Sequence, residues 1–158
     1  MDSAISKWGK LVFCLFVCLL IAGLEGMATH ESVNGWYKTL IKPSGTPPDY
    51  IFPVVWSILY TMIAVSWWLV WIAPTKDKSL ALLAFGIQLF LNFLWSWLFF
   101  HFESPGLALI DIILLYLSIG FTIYAFWRHS QWAAMLLLPY FVWVGYAMRL
   151  NFLIWLNN

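Results

Sequence analysis

The sequence predicts an all-α membrane protein: a bundle of five transmembrane helices with a structured loop between helices 1 and 2. Three observations predict it. The chain of 158 residues is 63% hydrophobic and only 9% charged, against about 25% charged in soluble domains, so it cannot cover a water-facing surface. Five segments approach the roughly 20 apolar residues that a helix needs to cross a bilayer. Between the first two lies "WYKTLIKPSGTPPDY", residues 36–50, where Lys38, Lys42 and Asp49 gather with three of the seven prolines. The length suits one domain over 1–158, and no internal repeat is visible. With a net charge of +1, the chain offers no electrostatic footprint for nucleic acid.

The first segment, about 8–28, is the least regular because Glu25 sits near its end. Lys7 and Lys10 followed by 11–22 also fit the n- and h-regions of a signal peptide. No A-x-A site follows, and Gly23 with Gly26 suggest close helix packing, so the segment is expected to stay as a span. Cys14 and Cys18 lie one turn apart, in a geometry that a regular helix does not close into a disulfide. They read as two small apolar residues packing in lipid rather than as a soft metal or redox pair.

The loop, about 29–49, is stiffened by Pro43, Pro47 and Pro48, while Gly45 permits a tight bend. A preordered segment of this kind can fold over the bundle mouth and send Trp36 and Tyr37 inward. It reads as a lid.

The second span covers about 50–73 and ends at Pro74; the third covers about 80–100. Ser104 and Pro105 supply an N-cap and a first-turn proline for the fourth, about 106–127. Ser130 caps the fifth, about 132–156, which Pro139 should bend. Lys7, Lys10, Lys76, Lys78 and Arg128 fall on the N-terminal side, against Lys38, Lys42 and Arg149 on the other. In an inner or plasma membrane the positive-inside rule places the N-terminus in the cytoplasm. Trp8, Trp127, Trp132 and Trp155 lie where an interfacial aromatic belt belongs.

Polar groups inside the spans carry the functional reading. Gln88, Asn92 and Ser96 form one stripe on span three, and Trp143, Ala147 and Asn151 form another on span five. Trp56 and Tyr60 match them on span two, with Trp67 on a neighbouring face. Two readings stand: amides as glue between helices, or amides and indoles converging on a ligand pocket. Asp111, in the first turns of span four, is either a dipole-stabilised structural acid or a proton-relay carboxylate. Arg149 points away from the Trp143–Asn151 face and is expected to snorkel. His30, His101 and His129 lack ligand spacing, so no metal site is expected. Residues 144–149 match the sterol-contact pattern L/V-x-Y-x-K/R, which membrane helices often match by chance.

"WYKTLIKPSGTPP" resembles the WYxxLxKPxxxPP signature of the translocator protein / tryptophan-rich sensory protein (TspO/MBR) family. "FPVVWSILY", "QLFLNFLWSWLFF" and "PYFVWVGYAMRLNFLIWLN" resemble its later blocks, in order and over nearly the whole chain. The resemblance implies a five-helix bundle, commonly homodimeric, in a bacterial or mitochondrial outer membrane. It implies a pocket under the lid for tetrapyrroles (porphyrin or haem, as ligand rather than required cofactor), sterols and benzodiazepine-type compounds. By position that pocket would draw on Tyr37, Pro47, Trp56, Tyr60, Gln88, Asn92, Trp95, Trp143, Ala147 and Asn151. It also implies a role in tetrapyrrole transport, sensing or regulation. The alternative it implies is light- and oxygen-dependent degradation of protoporphyrin IX, with Trp56 and Trp143 as the catalytic pair. Gly45 stands where the family pattern has Trp, and Phe152 where its C-terminal sterol motif has Tyr.

Overall fold

The computed structural model describes residues 4–75 and 77–158; Lys76, counted in the charge pattern, lies outside the described residues. Five helices among them are long and apolar enough to cross a membrane. Helix α1 (Ala4–Asn34) is followed by one turn, α2 (Trp36–Thr39), and then by α3 (Ile51–Ile72). Span three is α4 (Ser79–Ser96) continued by a π-helical turn (Trp97–His101), and span four is α5 (Pro105–Trp127). Span five is split into α6 (Gln131–Leu136) and α7 (Leu138–Asn157).

The break in span five is the bend expected of Pro139, whose ring has no N–H to give to the preceding turn. Leu137 takes up the turn, and its N–H bonds the Ala134 carbonyl at 3.1 Å. Ser130 caps α6 by accepting from the Ala133 N–H at 3.2 Å. Ser104 stands at the N-cap of α5 without a side-chain capping bond; the Ala108 N–H reaches its carbonyl instead, at 3.0 Å. At the end of α3, Lys78 Nζ satisfies the carbonyls of Trp71 and Ala73 at 2.8 and 2.7 Å, as cations near helix C-termini do.

Helix α1 departs furthest from the expected boundaries. The segment 29–34, read as the start of the loop, is helical, because polarity alone does not end a helix. Gly35 does, with its N–H on the carbonyls of Glu31 and Ser32. The 31 residues of α1 span about 46 Å, against about 30 Å for the hydrocarbon core. Its last turns therefore rise to the level of the lid.

Around the bundle the spans neighbour one another in the order 1-2-5-4-3, with span three closing on span one. Cys14 and Cys18 face the bundle interior, fully buried, rather than lipid. Gly23 and Gly26 have open space where a Cβ would stand, so they do not mediate close packing. That role falls to Gly106 and Gly145, where an added Cβ would stand only 3.1 Å from Trp155 Nε1 and from the Tyr116 ring, respectively. Trp8, Trp127, Trp132 and Trp155 are exposed on the outside, as a belt requires, and Arg149 is exposed.

Candidate functional site

A cavity of about 380 Å³ lies at the lid end of the bundle, between α1, α3, α7 and the end of span three. Its roof is the lid. Tyr37 is buried, its ring 6.2 Å from Phe99 and 5.6 Å from Phe100. The π-turn keeps those two rings beside Trp95, which stacks on Phe99 at 5.4 Å. Lys42 Nζ stands 4.0 Å over the Tyr37 ring and 4.0 Å from Asp49 Oδ1. Burial, then the neighbouring Asp49 charge, pushes the Tyr37 hydroxyl pKa up to about 12.

Two tethers hold the loop beyond Tyr37. Gly45 adopts φ +90°, a region open to glycine at little cost, and its carbonyl accepts from the Tyr146 hydroxyl. The tyrosine of the sterol-contact pattern is thus engaged with the lid. Further back, the Ile41 N–H bonds Asn158 Oδ1 at 2.9 Å.

Six of the residues placed in a pocket by resemblance line this cavity: Tyr37, Trp56, Tyr60, Trp95, Trp143 and Ala147. Pro47, Gln88, Asn92 and Asn151 do not line it. Gln88 Oε1 accepts from the Tyr140 hydroxyl at 2.9 Å, and Asn92 Nδ2 donates to the Tyr60 hydroxyl at 2.9 Å. Asn151 accepts from Trp95 Nε1 at 3.0 Å and donates to the Pro105 carbonyl at 2.8 Å. Asn92 and Asn151 are spent between helices, holding Tyr60 and Trp95, which do face the cavity. Gln88 holds Tyr140, which does not line it, and its Nε2 lacks a hydrogen-bond partner among the described residues. Trp67 lies elsewhere, stacked on Phe85 at 5.2 Å. Asp111 is buried outside the cavity, with Oδ2 lacking a hydrogen-bond partner.

The wall that the sequence reading missed is α1. Ala22, Glu25, Gly26, Thr29, His30 and Val33 line the cavity from one helical face. The signal was present as small and polar residues at intervals of three and four in an otherwise apolar helix. Glu25 is buried and accepts from the Tyr60 hydroxyl at 2.7 Å. Gly26 leaves room beside it.

The remaining side is a seam between spans two and five. The Pro139 break lets α6 pack on α3, while α7 meets α3 sparsely. Two ring contacts bridge them at the cavity: Phe52 to Trp143 at 6.0 Å and Trp56 to Tyr140 at 6.2 Å. Among the described residues no group of three or more His, Cys, Asp or Glu side chains is placed to hold a metal ion.

Comparison with known proteins assigns this architecture. The model of the TspO/MBR family matches residues 13–156. Tryptophan-rich protein TspO of Chlorobaculum tepidum is 40% identical over 148 residues, covering 91% of this chain and 92% of that one. The protein of the same name from Archaeoglobus fulgidus is 39% identical, covering 94% and 97%. The translocator protein of Homo sapiens is 34% identical, covering 82% and 78%.

Proposed function

Because the chain belongs to the TspO/MBR family, we propose that this integral, multi-pass membrane protein binds a tetrapyrrole under its lid and acts in tetrapyrrole transport, sensing or regulation. The observation that carries the reading is the composition of the cavity wall. Trp56, Trp95 and Trp143 bring indole faces to one space, roofed by Tyr37 and Phe100, with small Ala147 leaving depth beside Trp143. Flat apolar walls with few polar groups are what a planar macrocycle requires. At about 380 Å³ the cavity lies near the lower end of the usual range for ligand pockets, about 300–1,000 Å³. A macrocycle would occupy all of it and carry its acidic side chains to the mouth, near Lys38 and Lys42.

Titrating purified protein with protoporphyrin IX should quench tryptophan fluorescence to saturation near one ligand per chain, at micromolar affinity, about −8 kcal/mol. Trp143→Ala should weaken it. Unchanged affinity in a folded variant would remove Trp143 from the site.

A second reading is light- and oxygen-dependent breakdown of the porphyrin, with dioxygen as oxidant and indole as an oxidisable relay. It draws on one observation: Trp56 and Trp143 line the same cavity, so a single ligand would touch both.

A further inference from the structure

Among the described residues the cavity wall carries carboxylates and aromatic rings but no Lys or Arg. At the mouth this pairing is already filled from within. The Lys42 ammonium sits 4.0 Å from the Asp49 carboxylate and 4.0 Å from the Tyr37 ring centroid, held by charge and by the ring face together. Deeper in, the same two components recur without an ammonium. They are Glu25 and the Trp56–Tyr60 ring pair, whose centroids are 5.8 Å apart.

The hydrogen bonds around Glu25 have a direction. A hydroxyl has one proton, and Tyr60 gives it to Glu25 Oε1 at 2.7 Å while accepting from Asn92 Nδ2 at 2.9 Å. Donation therefore runs from α4 through α3 to α1 and ends on the carboxyl group. Among the described residues Tyr60 is the one hydrogen-bond partner of Glu25, though a carboxylate has about four acceptor positions. The one ionisable nitrogen in the wall, His30, lies five residues on, about 7.5 Å along the helix axis. A carboxyl group that is 7% exposed is costly in apolar surroundings unless a donor or cation satisfies it. The space beside Glu25 is open cavity.

We propose that Glu25 is the specificity-determining residue of the cavity, holding the protonated amine or N–H donor of an aromatic ligand, with the Trp56 ring face as its second contact. The proposal rests on reading the cavity as a ligand site and narrows which ligands it admits. For a tetrapyrrole, whose pyrrole N–H groups point into the centre of the ring, Glu25 meets them over the ring face, with the carboxylates toward the mouth.

The test uses the full chain in detergent and a matched probe pair, a naphthylalkyl-ammonium ending in CH2–NH3+ and its neutral isostere ending in CH2–CH3, with protoporphyrin IX titrated in parallel. In the wild type the cation should bind at least tenfold more tightly than the isostere. In Glu25→Gln, which keeps an acceptor for Tyr60, that advantage should vanish while isostere affinity holds within about threefold. Equal affinity of the two probes for the wild type overturns the proposal without any variant, and so does an advantage that survives Glu25→Gln. Either result leaves the tetrapyrrole reading standing if protoporphyrin binds. If neither probe nor protoporphyrin binds, the cavity is not a ligand site and both readings fall.

Discussion

Replacing Asn151 by Ala asks whether the buried amides build the site or touch its ligand. The side chain makes two interhelical bonds, from Trp95 Nε1 at 3.0 Å and to the Pro105 carbonyl at 2.8 Å. Interhelical hydrogen bonds in membranes average about 0.6 kcal/mol and reach about 1.7, so losing both should cost about 1–3 kcal/mol. On the scaling for soluble proteins of this size that is a fall in Tm of about 2–12 °C. A freed Trp95 must then be ordered by the ligand, at about 0.5–1.5 kcal/mol for one side chain, a two- to twelvefold loss of affinity. The assay is thermal unfolding in detergent together with protoporphyrin titration of Asn151→Ala, Trp95→Phe and the double variant. If Asn151 acts only through Trp95, removing it in the Trp95→Phe background should leave affinity unchanged. A further tenfold loss there, with no loss of Tm, would show the amide reaching the ligand directly and refute the assignment of Asn151 as glue.

The lid tethers should set residence time: Tyr146→Phe, which frees the Gly45 carbonyl, and Pro47→Gly with Pro48→Gly, which loosen the loop, should each raise the dissociation rate several-fold in stopped-flow displacement. Rates equal to wild type would reduce the segment to a connector. Trp56→Phe and Trp143→Phe should keep much of the binding, since phenyl still gives an apolar wall, yet abolish light-dependent loss of the Soret band if the indoles are the relay; wild type that loses porphyrin no faster than detergent controls ends the degradation reading. Tyr37, with its pKa raised to about 12, stays neutral in the folded state where an unfolded tyrosine would already ionise. Its contribution is therefore complete below about pH 10 and lost as pH rises through 12. Tyr37→Phe should flatten that alkaline fall in stability, and identical pH profiles would place Tyr37 outside the lid core.

The five spans could be read from hydropathy because a bilayer imposes a length and a composition on every segment that crosses it. The prolines at 74 and 105 mark span boundaries, and Pro139 a bend inside span five, for the same local reason that they act in the structure. Partner choice was less legible. Gln88, Asn92 and Asn151 announce themselves as buried polar groups, but a stripe on one helix does not say whether it faces a void or a neighbour's hydroxyl. Here Tyr140, Tyr60 and Trp95 took the amides, which depends on the order of helices around the bundle. Glu25 was seen as an irregularity of span one and not as a wall of the site, because only the close approach of α1 to α3 brings it to Tyr60. The full length of α1 is not legible because polar residues past the membrane boundary look the same in a helix as in a loop.

The seam between spans two and five bears on what a measured affinity means. The Phe52–Trp143 and Trp56–Tyr140 ring contacts bridge the two spans there. For an apolar ligand that slips between those rings, the bilayer is the reservoir, and the concentration that matters is moles per mole of lipid. An apparent Kd referred to total ligand includes the partition coefficient and drifts upward as more lipid or detergent dilutes the ligand in the apolar phase. Referred to free aqueous ligand, Kd is the same whichever way the ligand enters, because binding at equilibrium does not depend on the path. The route of entry is read from kinetics instead: Phe52→Trp, which fills the seam, should slow the association of a ligand that enters between the spans and leave one admitted past the lid unchanged.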